Sequence, residues 1–413
     1  MKFNVQGSLF ALFLGALAAL PPISIDMALP ALGPIAHTLN VAPGTAQLTL
    51  SIFMAGFALS PIAYGPFSDR YGRRPMLLLG LLLFTLGGFA CAVSGTLNLL
   101  LLARFVQGAG AGSGMTLAMA MVRDLFVGKQ AQGRLAVITV VTNVAPMIAP
   151  ALGAALLAHR GWRAIYLATG ICGGILLLAV FFSLHETAPR QHSQHDPLLI
   201  VMSSAYRSVF SHRRAMAYIV LNALGFSWMF AYITGSPLTF IDTFHTSTSL
   251  FAVLFACTGA GIVVGATLNG RLAQRGLGIQ RLLLGGVITA ACCTSALLVL
   301  TLTGSMSLWS FLPLLTLTTA SFGMVAPSAA HGALEPLGEV AGVGGGLLAS
   351  MQMLFAAGTS SVVAMLFPKV GVIAMTGSMW ALSILALALA VPLARRAVST
   401  GVAEAQETVM SLH

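Results

Sequence analysis

Uninterrupted apolar runs of about 20 residues recur along almost the whole of this chain, and that is the length an α-helix needs to cross the hydrocarbon of a bilayer. Read at that length, twelve runs fall near residues 8–30, 45–66, 75–95, 98–121, 133–157, 163–184, 215–240, 249–269, 281–303, 307–330, 343–367 and 371–394. Backbone groups in lipid must find their partners internally, so only helices and closed barrels can span. Barrel strands are about 10 residues long and alternate in polarity. These runs are twice as long and continuously apolar, which leaves an all-α membrane protein of twelve transmembrane helices. With 57% hydrophobic residues in 413 and short connections between runs, there is no room for a soluble catalytic or binding domain.

The net charge of +10 raises nucleic acid as a partner in a soluble protein, but the distribution of charge argues against it. With the N-terminus in the cytoplasm, the cytoplasmic segments carry Lys2, Arg70, Arg73, Arg74, Arg123, Lys129, Arg134, Arg190, Arg207, Arg213, Arg214, Arg271, Arg275, Arg281, Arg395 and Arg396, which is 16 of the 20 Lys and Arg residues. Arg160, Arg163 and Lys369 fall on the other side, and Arg104 lies inside a span. This bias is the positive-inside signature and places both termini of a multi-pass membrane protein in the cytoplasm. Cys91, Cys172, Cys257, Cys292 and Cys293 all lie within apolar runs, with no metal-ligand or disulfide spacing. They read as packing residues, and no metal, cofactor or nucleic-acid partner is expected. The start Met1-Lys2 and its apolar run lack a signal-peptide cleavage site, so the first span is expected to be retained.

Hydropathy breaks once, between Glu186 and Arg214, in a segment containing Pro189, Arg190, a His/Gln/Ser cluster and Arg213-Arg214. The division is therefore a first bundle over 1–187, a cytoplasmic linker over 188–214, a second bundle over 215–396 and a tail over 397–413. The halves echo each other: Gly65, Asp69 and Arg70 after the second span are answered by Gly265, Asn269 and Gly270-Arg271 after the eighth. Six plus six helices with a repeated loop predict two pseudo-symmetric bundles with a site between them. Gly108-Ala109-Gly110-Ala111-Gly112-Ser113-Gly114 follows no strand, so close helix packing accounts for it better than a nucleotide loop.

Several segments carry a family resemblance. Gly65-Pro66-Phe67-Ser68-Asp69-Arg70-Tyr71-Gly72-Arg73-Arg74 resembles the loop signature of the major facilitator superfamily, and Arg104-Phe105-Val106-Gln107-Gly108 resembles its fourth-helix signature. Asp26 to Leu32 resembles the first-helix signature of the drug-efflux branch, and Ala145 to Gly153 its fifth-helix antiporter signature. Arg123-Asp124-Leu125-Phe126, Gly161-Trp162-Arg163-Ala164 and Ala333-Leu334-Glu335 are similar to hallmarks of the twelve-helix drug:proton antiporters of the bicyclomycin/chloramphenicol-resistance (Bcr/CflA) branch. Two positions depart: Ala145 stands where the fifth-helix motif often has glycine, and Ala18 where some relatives carry a second acid. The resemblance implies the major facilitator fold and a monomeric, proton-coupled exporter of small organic molecules working by alternating access, with no cofactor.

The residues bear on that expectation as follows. Asp26 is the one acid placed well inside a span. A carboxylate there costs about 2.5–3.5 kcal/mol on insertion scales, so it faces a cavity, pairs, or takes up a proton. A proton site and a purely structural cap near Pro30 both fit. Arg104 always keeps its charge; it either biases an acid on the first helix, with Gln107 as neighbour, or satisfies backbone freed at Pro21 and Pro22. The resemblance implies a conformational latch from Gly65, Asp69, Arg70, Gly72, Arg73 and Arg74, in which Asp69 meets the start of the eleventh helix near Gly342 to Gly346 and Arg73 reaches Asp124. A solvated topology signal is the plain alternative, because wet ion pairs contribute only about 0–1 kcal/mol. Pro146, Pro150 and Gly153 predict either a tight seam against the eighth helix or a simple kink. Met115, Met119, Trp228, Tyr232, Met351, Gln352 and Phe355 have the spacing and adaptable chemistry of a cavity lining, or else of ordinary packing. A metabolite exporter of the same fold, a membrane-embedded transferase and a channel are the rivals; the histidines scatter among loops and termini, apart from His331, which fits a transferase poorly.

Overall fold

The computed structural model describes residues 7–187 and 198–410. Among the described residues all regular structure is helical. The N-terminal half comprises α1 (Ser8–Asp26), α2 (Leu32–Thr38), α3 (Pro43–Tyr71), α4 (Arg73–Val93), α5 (Leu97–Leu125), α6 (Gly128–Arg160) and α7 (Trp162–Ser183). Then come α8 (Leu198–Ser211), α9 (Arg213–Pro237), α10 (Thr248–Gln274), α11 (Ile279–Leu302), α12 (Leu308–Leu334), α13 (Ala341–Val370) and α14 (Ile373–Met410).

Eleven of the described helices are long and apolar enough to cross a membrane. The expected fourth span, α5, is 29 residues long but is diluted by Arg104, Gln107 and the glycine run. It survives because its polar face is sheltered: Arg104, Gln107 and Ser113 are fully buried. The first span is longer than its apolar run. α1, a 3-10 turn at Leu29–Ala31 and α2 together form a 31-residue span, Ser8–Thr38. Asp26 ends the 19-residue α1 and so sits past the middle of the span rather than near its end.

The two halves repeat one packing scheme. In the first, α3 packs on α5, α4 on α5 and α7, and α1 on α6; in the second, α10 packs on α12, α11 on α12 and α14, and α9 on α13. Small residues set these approaches. A Cβ on Gly56 or Gly108 would collide with the facing carbonyl of Phe105 or Phe53 between α3 and α5, and a Cβ on Gly265 or Gly323 would do the same against Ala320 or Ile262 between α10 and α12. The glycine run of α5 is thus a packing surface. Across the halves α3 lies on α13 and α6 on α10, and these two seams enclose the centre of the molecule.

Three expectations about the segments change. Residues 198–211 of the expected linker form α8, which packs on α9 and α13, while 188–197, with Pro189, Arg190 and the His/Gln/Ser cluster, lie outside the described residues. The expected tail from 397 continues α14 as helix to Met410. Among the cysteines only Cys91 and Cys293 are buried; Cys172, Cys257 and Cys292 are exposed on the helix surfaces.

Candidate functional site: a cavity between the two halves

A cavity of about 270 Å³ lies between the halves. Pro21, Pro22, Ile25 and Asp26 of α1, Phe57 of α3, Met115 of α5, and Thr142, Asn143 and Pro146 of α6 form one wall. Phe226, Met229, Phe230, Tyr232 and Ile233 of α9, Phe255, Thr258, Gly259 and Ile262 of α10, Thr319 and Phe322 of α12, and Gln352 and Met353 of α13 form the other. The lining is mostly apolar and aromatic. Phe226 packs tilted against Phe230 and Phe322 with ring centroids 4.7 and 5.7 Å away, and Tyr232 stacks on Phe255 at 6.0 Å.

Asp26 is the acid on this lining. Its residue is only 4% exposed, and it makes no hydrogen bond or ion pair with any described residue. A carboxyl held in an apolar cavity without a countercharge has one ready partner, a proton. The chain just beyond it is fixed by α6: Gly153 sits so close that a Cβ there would collide with the Met27 carbonyl. The expected seam between Gly153 and the eighth helix is therefore not the contact seen; Gly153 fits against the first span, and α6 meets α10 through Met147 beside Gly259. α6 runs as continuous helix through Pro146 and Pro150.

Arg104 is fully buried and forms no ion pair with Asp26. Its Nη1 donates to Ser24 Oγ at 3.0 Å and to Gln107 Oε1 at 2.8 Å, its Nη2 to the Ser24 carbonyl at 3.3 Å and its Nε to the Thr49 carbonyl at 3.3 Å. The guanidinium also lies over the rings of Phe53 and Tyr166, at 4.2 and 5.4 Å. The Ser24 carbonyl is open because the Ala28 N–H turns to Ile25 where α1 ends. Gln107 passes the network on, donating to Thr169 Oγ1 at 3.1 Å. Arg104 thus grips the backbone two residues before Asp26. The prolines explain less of its position than the helix end does.

At the charged end of the bundle, Gly72 adopts φ +100° between α3 and α4, a conformation that favours glycine. Arg73 Nε donates to Asp124 at 2.8 Å, and its Nη1 meets Asp69 at 2.5 Å and Ser68 Oγ at 2.5 Å. Glu186 caps the start of α4, accepting from the Arg73 N–H at 2.8 Å and the Arg74 N–H at 3.3 Å, the favourable place for an anion. Arg74 Nη2 donates to the Phe181 carbonyl at 2.7 Å, while Arg70 is exposed. Asp69, 61% exposed, pairs with Arg73 and, among the described residues, makes no hydrogen bond to Gly342–Gly346 of α13. At this end α13 touches the N-terminal half in ordinary contact, a Cβ on Gly346 standing 3.5 Å from the Pro61 carbonyl and one on Gly342 3.5 Å from the Arg123 guanidinium; at the other end of the same helix pair the approach is closer, and a Cβ on Gly44 would collide with the Ala364 carbonyl. That opposite end is also tied by Gln47 Nε2 donating to the Thr234 carbonyl of the other half at 2.8 Å, with Thr234 Oγ1 bonded to Ser360 Oγ at 2.7 Å. Nothing in the Gly65 environment requires glycine.

Of the residues expected on the lining, Met115, Tyr232 and Gln352 face the cavity. Met119, Met351 and Phe355 are half-buried against the hydrophobic core, and Trp228, one turn from Tyr232, is fully buried in the core and does not line the cavity. The sequence reading named Pro21 and Pro22 only as a source of freed backbone and not as cavity lining, and it assigned no role to Phe226, Phe230, Asn143, Ser24 or Glu186. The adjacent Pro21-Pro22 inside a span and the i, i+4 spacing of the two phenylalanines were the available signals.

Residues 12–342 match the family model of the Major Facilitator Superfamily. The chain is 34% identical over 363 residues to the uncharacterized MFS-type transporter YdgK of Bacillus subtilis, covering 86% of this chain and 88% of that protein. It is 28% identical over 364 residues to Multidrug resistance protein D of Escherichia coli, covering 87% and 89%, and 27% identical over 358 residues to the bicyclomycin resistance protein homolog of Haemophilus influenzae, covering 86% and 89%. Among solved structures, the fold resembles a bacterial homolog of the human lysosomal transporter Spinster in an inward-facing, unoccupied conformation, with TM-score 0.73 at 16% identity over 95% of this chain and 98% of the other. It also resembles a D-xylose-proton symporter, with TM-score 0.70 at 16% identity over 94% and 97%. The two-bundle fold, the membrane-crossing helices and these matches agree: the chain is a transporter and not an enzyme, and it belongs to the Major Facilitator Superfamily.

Proposed function

We propose that this protein exports small organic molecules across the bacterial inner membrane in exchange for protons, and that Asp26 carries the exchanged proton. The observation that carries the proposal is Asp26 itself, an acid without a partner on the wall of an apolar cavity that both halves share. The names of the relatives, which speak of multidrug and bicyclomycin resistance, point to drugs as cargo. The mixed aromatic and methionine lining suits cargo of varied shape. Both termini lie in the cytoplasm by the charge bias, and the bundles 1–187 and 215–396, joined by 188–214, rock about the cavity. Arg104, with Gln107, reports the state of the site to the rest of the N-terminal half through Ser24.

Asp69, Arg73 and Asp124 act as the latch that closes the cytoplasmic end in the alternate state. The absence of a hydrogen bond from Asp69 to α13 among the described residues, together with the closer, hydrogen-bonded approach at the opposite end, supports assigning the present conformation to the side open to the cytoplasm. The driving force is adequate: one charge moved through 100 mV provides about 2.3 kcal/mol, roughly a fortyfold concentration ratio. In proteoliposomes, an imposed pH gradient is expected to drive uphill movement of members of an antibiotic panel. Movement that ignores the gradient for every compound overturns the proposal.

A further inference from the structure

The polar groups on the C-terminal wall of the cavity have a fixed polarity. A backbone carbonyl can only accept, so the Asn222 amide nitrogen must be the end that meets the Ala326 carbonyl, 3.0 Å away. That leaves Asn222 Oδ1 to receive the Gln352 amide nitrogen, which it does in a short hydrogen bond. The orientation of Gln352 follows from its neighbours: its nitrogen is held by Asn222, and its Oε1 has no hydrogen-bond partner among the described residues. Gln352 lines the cavity, whereas Asn222 is 1% exposed and stands behind it. The same logic holds one turn of the wall away. The Thr258 hydroxyl donates to the Phe255 carbonyl at 2.8 Å, so Tyr232 must donate its own proton to Thr258 Oγ1, 2.7 Å away, and keeps only acceptor capacity for the cavity. Thr319 Oγ1 likewise gives its proton to a backbone carbonyl.

We infer that Gln352 is a specificity-determining residue: it reads an N–H or O–H donor on the cargo through Oε1, with Asn222 as the positioning residue that holds it in that sense. The inference rests on the transporter reading above and adds the polarity of the cargo face that meets α13. Cargo carrying a donor beside an apolar body satisfies this wall. Cargo with only acceptors leaves Gln352 Oε1 unpaired in an apolar cavity, at a cost that makes binding about tenfold weaker.

The test uses 1-naphthylacetamide and its N,N-dimethyl derivative, neutral molecules of similar shape that differ in the amide N–H groups. Binding to the purified full-length protein is measured together with gradient-driven transport in proteoliposomes. Wild type is expected to bind the primary amide about tenfold better. Gln352→Leu brings the ratio close to one by weakening the primary amide alone, Asn222→Leu reduces the ratio in the same direction because Gln352 can then turn, and Gln352→Glu, which keeps an acceptor, retains the preference. Equal binding of the two amides by wild type, binding of neither, or a ratio unmoved by Gln352→Leu overturns the inference. Transport that follows the pH gradient without discriminating between the amides sinks this inference alone, and transport that ignores the gradient sinks the proposed function.

Discussion

The residues that matter most are those whose polarity the bilayer does not tolerate unless something is done with it. Asp26 and Arg104 are close in sequence logic and both belong to buried parts of the N-terminal half, yet they do not pair. Arg104 spends its donors on Ser24, Gln107 and Thr49, leaving the carboxyl to the cavity. A direct ion pair would hold Asp26 ionised and useless as a carrier; a grip on the backbone beside it can move with the helix without fixing its charge. Arg104→Lys keeps the charge but loses the planar fork that reaches both Ser24 oxygens. Losing a charged hydrogen bond costs about 1.5–3 kcal/mol, so transport is expected to fall roughly 10- to 100-fold, with a displaced pH profile at unchanged protein abundance. Ser24→Ala keeps the carbonyl contact, and a smaller displacement in the same direction is expected. Reduced abundance with an unmoved profile contradicts the coupling role. Neither Ser24 nor the separation of Arg104 from Asp26 was legible in the sequence, because both depend on where α1 ends and which carbonyl that end leaves open.

At the scale of elements, helix contacts are set by small residues. The apolar runs made the existence of the spans plain, since about 20 consecutive apolar residues have few other fates. They were less informative about ends: the run at 8–30 stopped before the polar Gly33, Pro34, His37 and Thr38, while the span continues through the 3-10 turn and α2 to Thr38. Partners were also hidden. Gly153 suggested a close approach without saying to what, and the neighbour proves to be Met27, the residue after Asp26. Gly153→Val is therefore expected to destabilise the protein by the 1–3 kcal/mol typical of overpacking and also to alter proton coupling, because the strain falls on the chain beside Asp26. Thermal unfolding in detergent and the pH profile of transport check both parts. Loss of stability with intact coupling confines Gly153 to packing. Of the lining, Met115, Tyr232 and Gln352 were legible and Asn143 and Phe322 were not, since periodicity marks a face of a helix but not which face meets a cavity shared with another bundle.

For the whole molecule, each half repeats one packing scheme, and the halves meet along α3 with α13 and α6 with α10. The balance between states then depends on the two ends of those seams. Gln47 and Gly44 hold one end together; at the other, Asp69 pairs with Arg73, and the proposed latch has it exchange that partner for the start of α13. Asp69→Asn is expected to favour the state open at the charged end, and Gln47→Leu, which removes the bond to Thr234, the opposite state. Thiol labelling of single cysteines placed at Gly342 and at Ala42, in a background without the native cysteines, reads the two shifts as opposite changes in rate. Parallel changes, or none, contradict a rocking exchange governed by these contacts.

The central claim is that Asp26 exchanges a proton for cargo, and proton release from the purified protein tests it most directly. With a pH indicator in weakly buffered detergent solution, adding a transported compound to wild-type protein is predicted to release protons, and the same addition to Asp26→Asn, at matched binding saturation, is predicted to release none. Equal release from the two proteins would contradict the account.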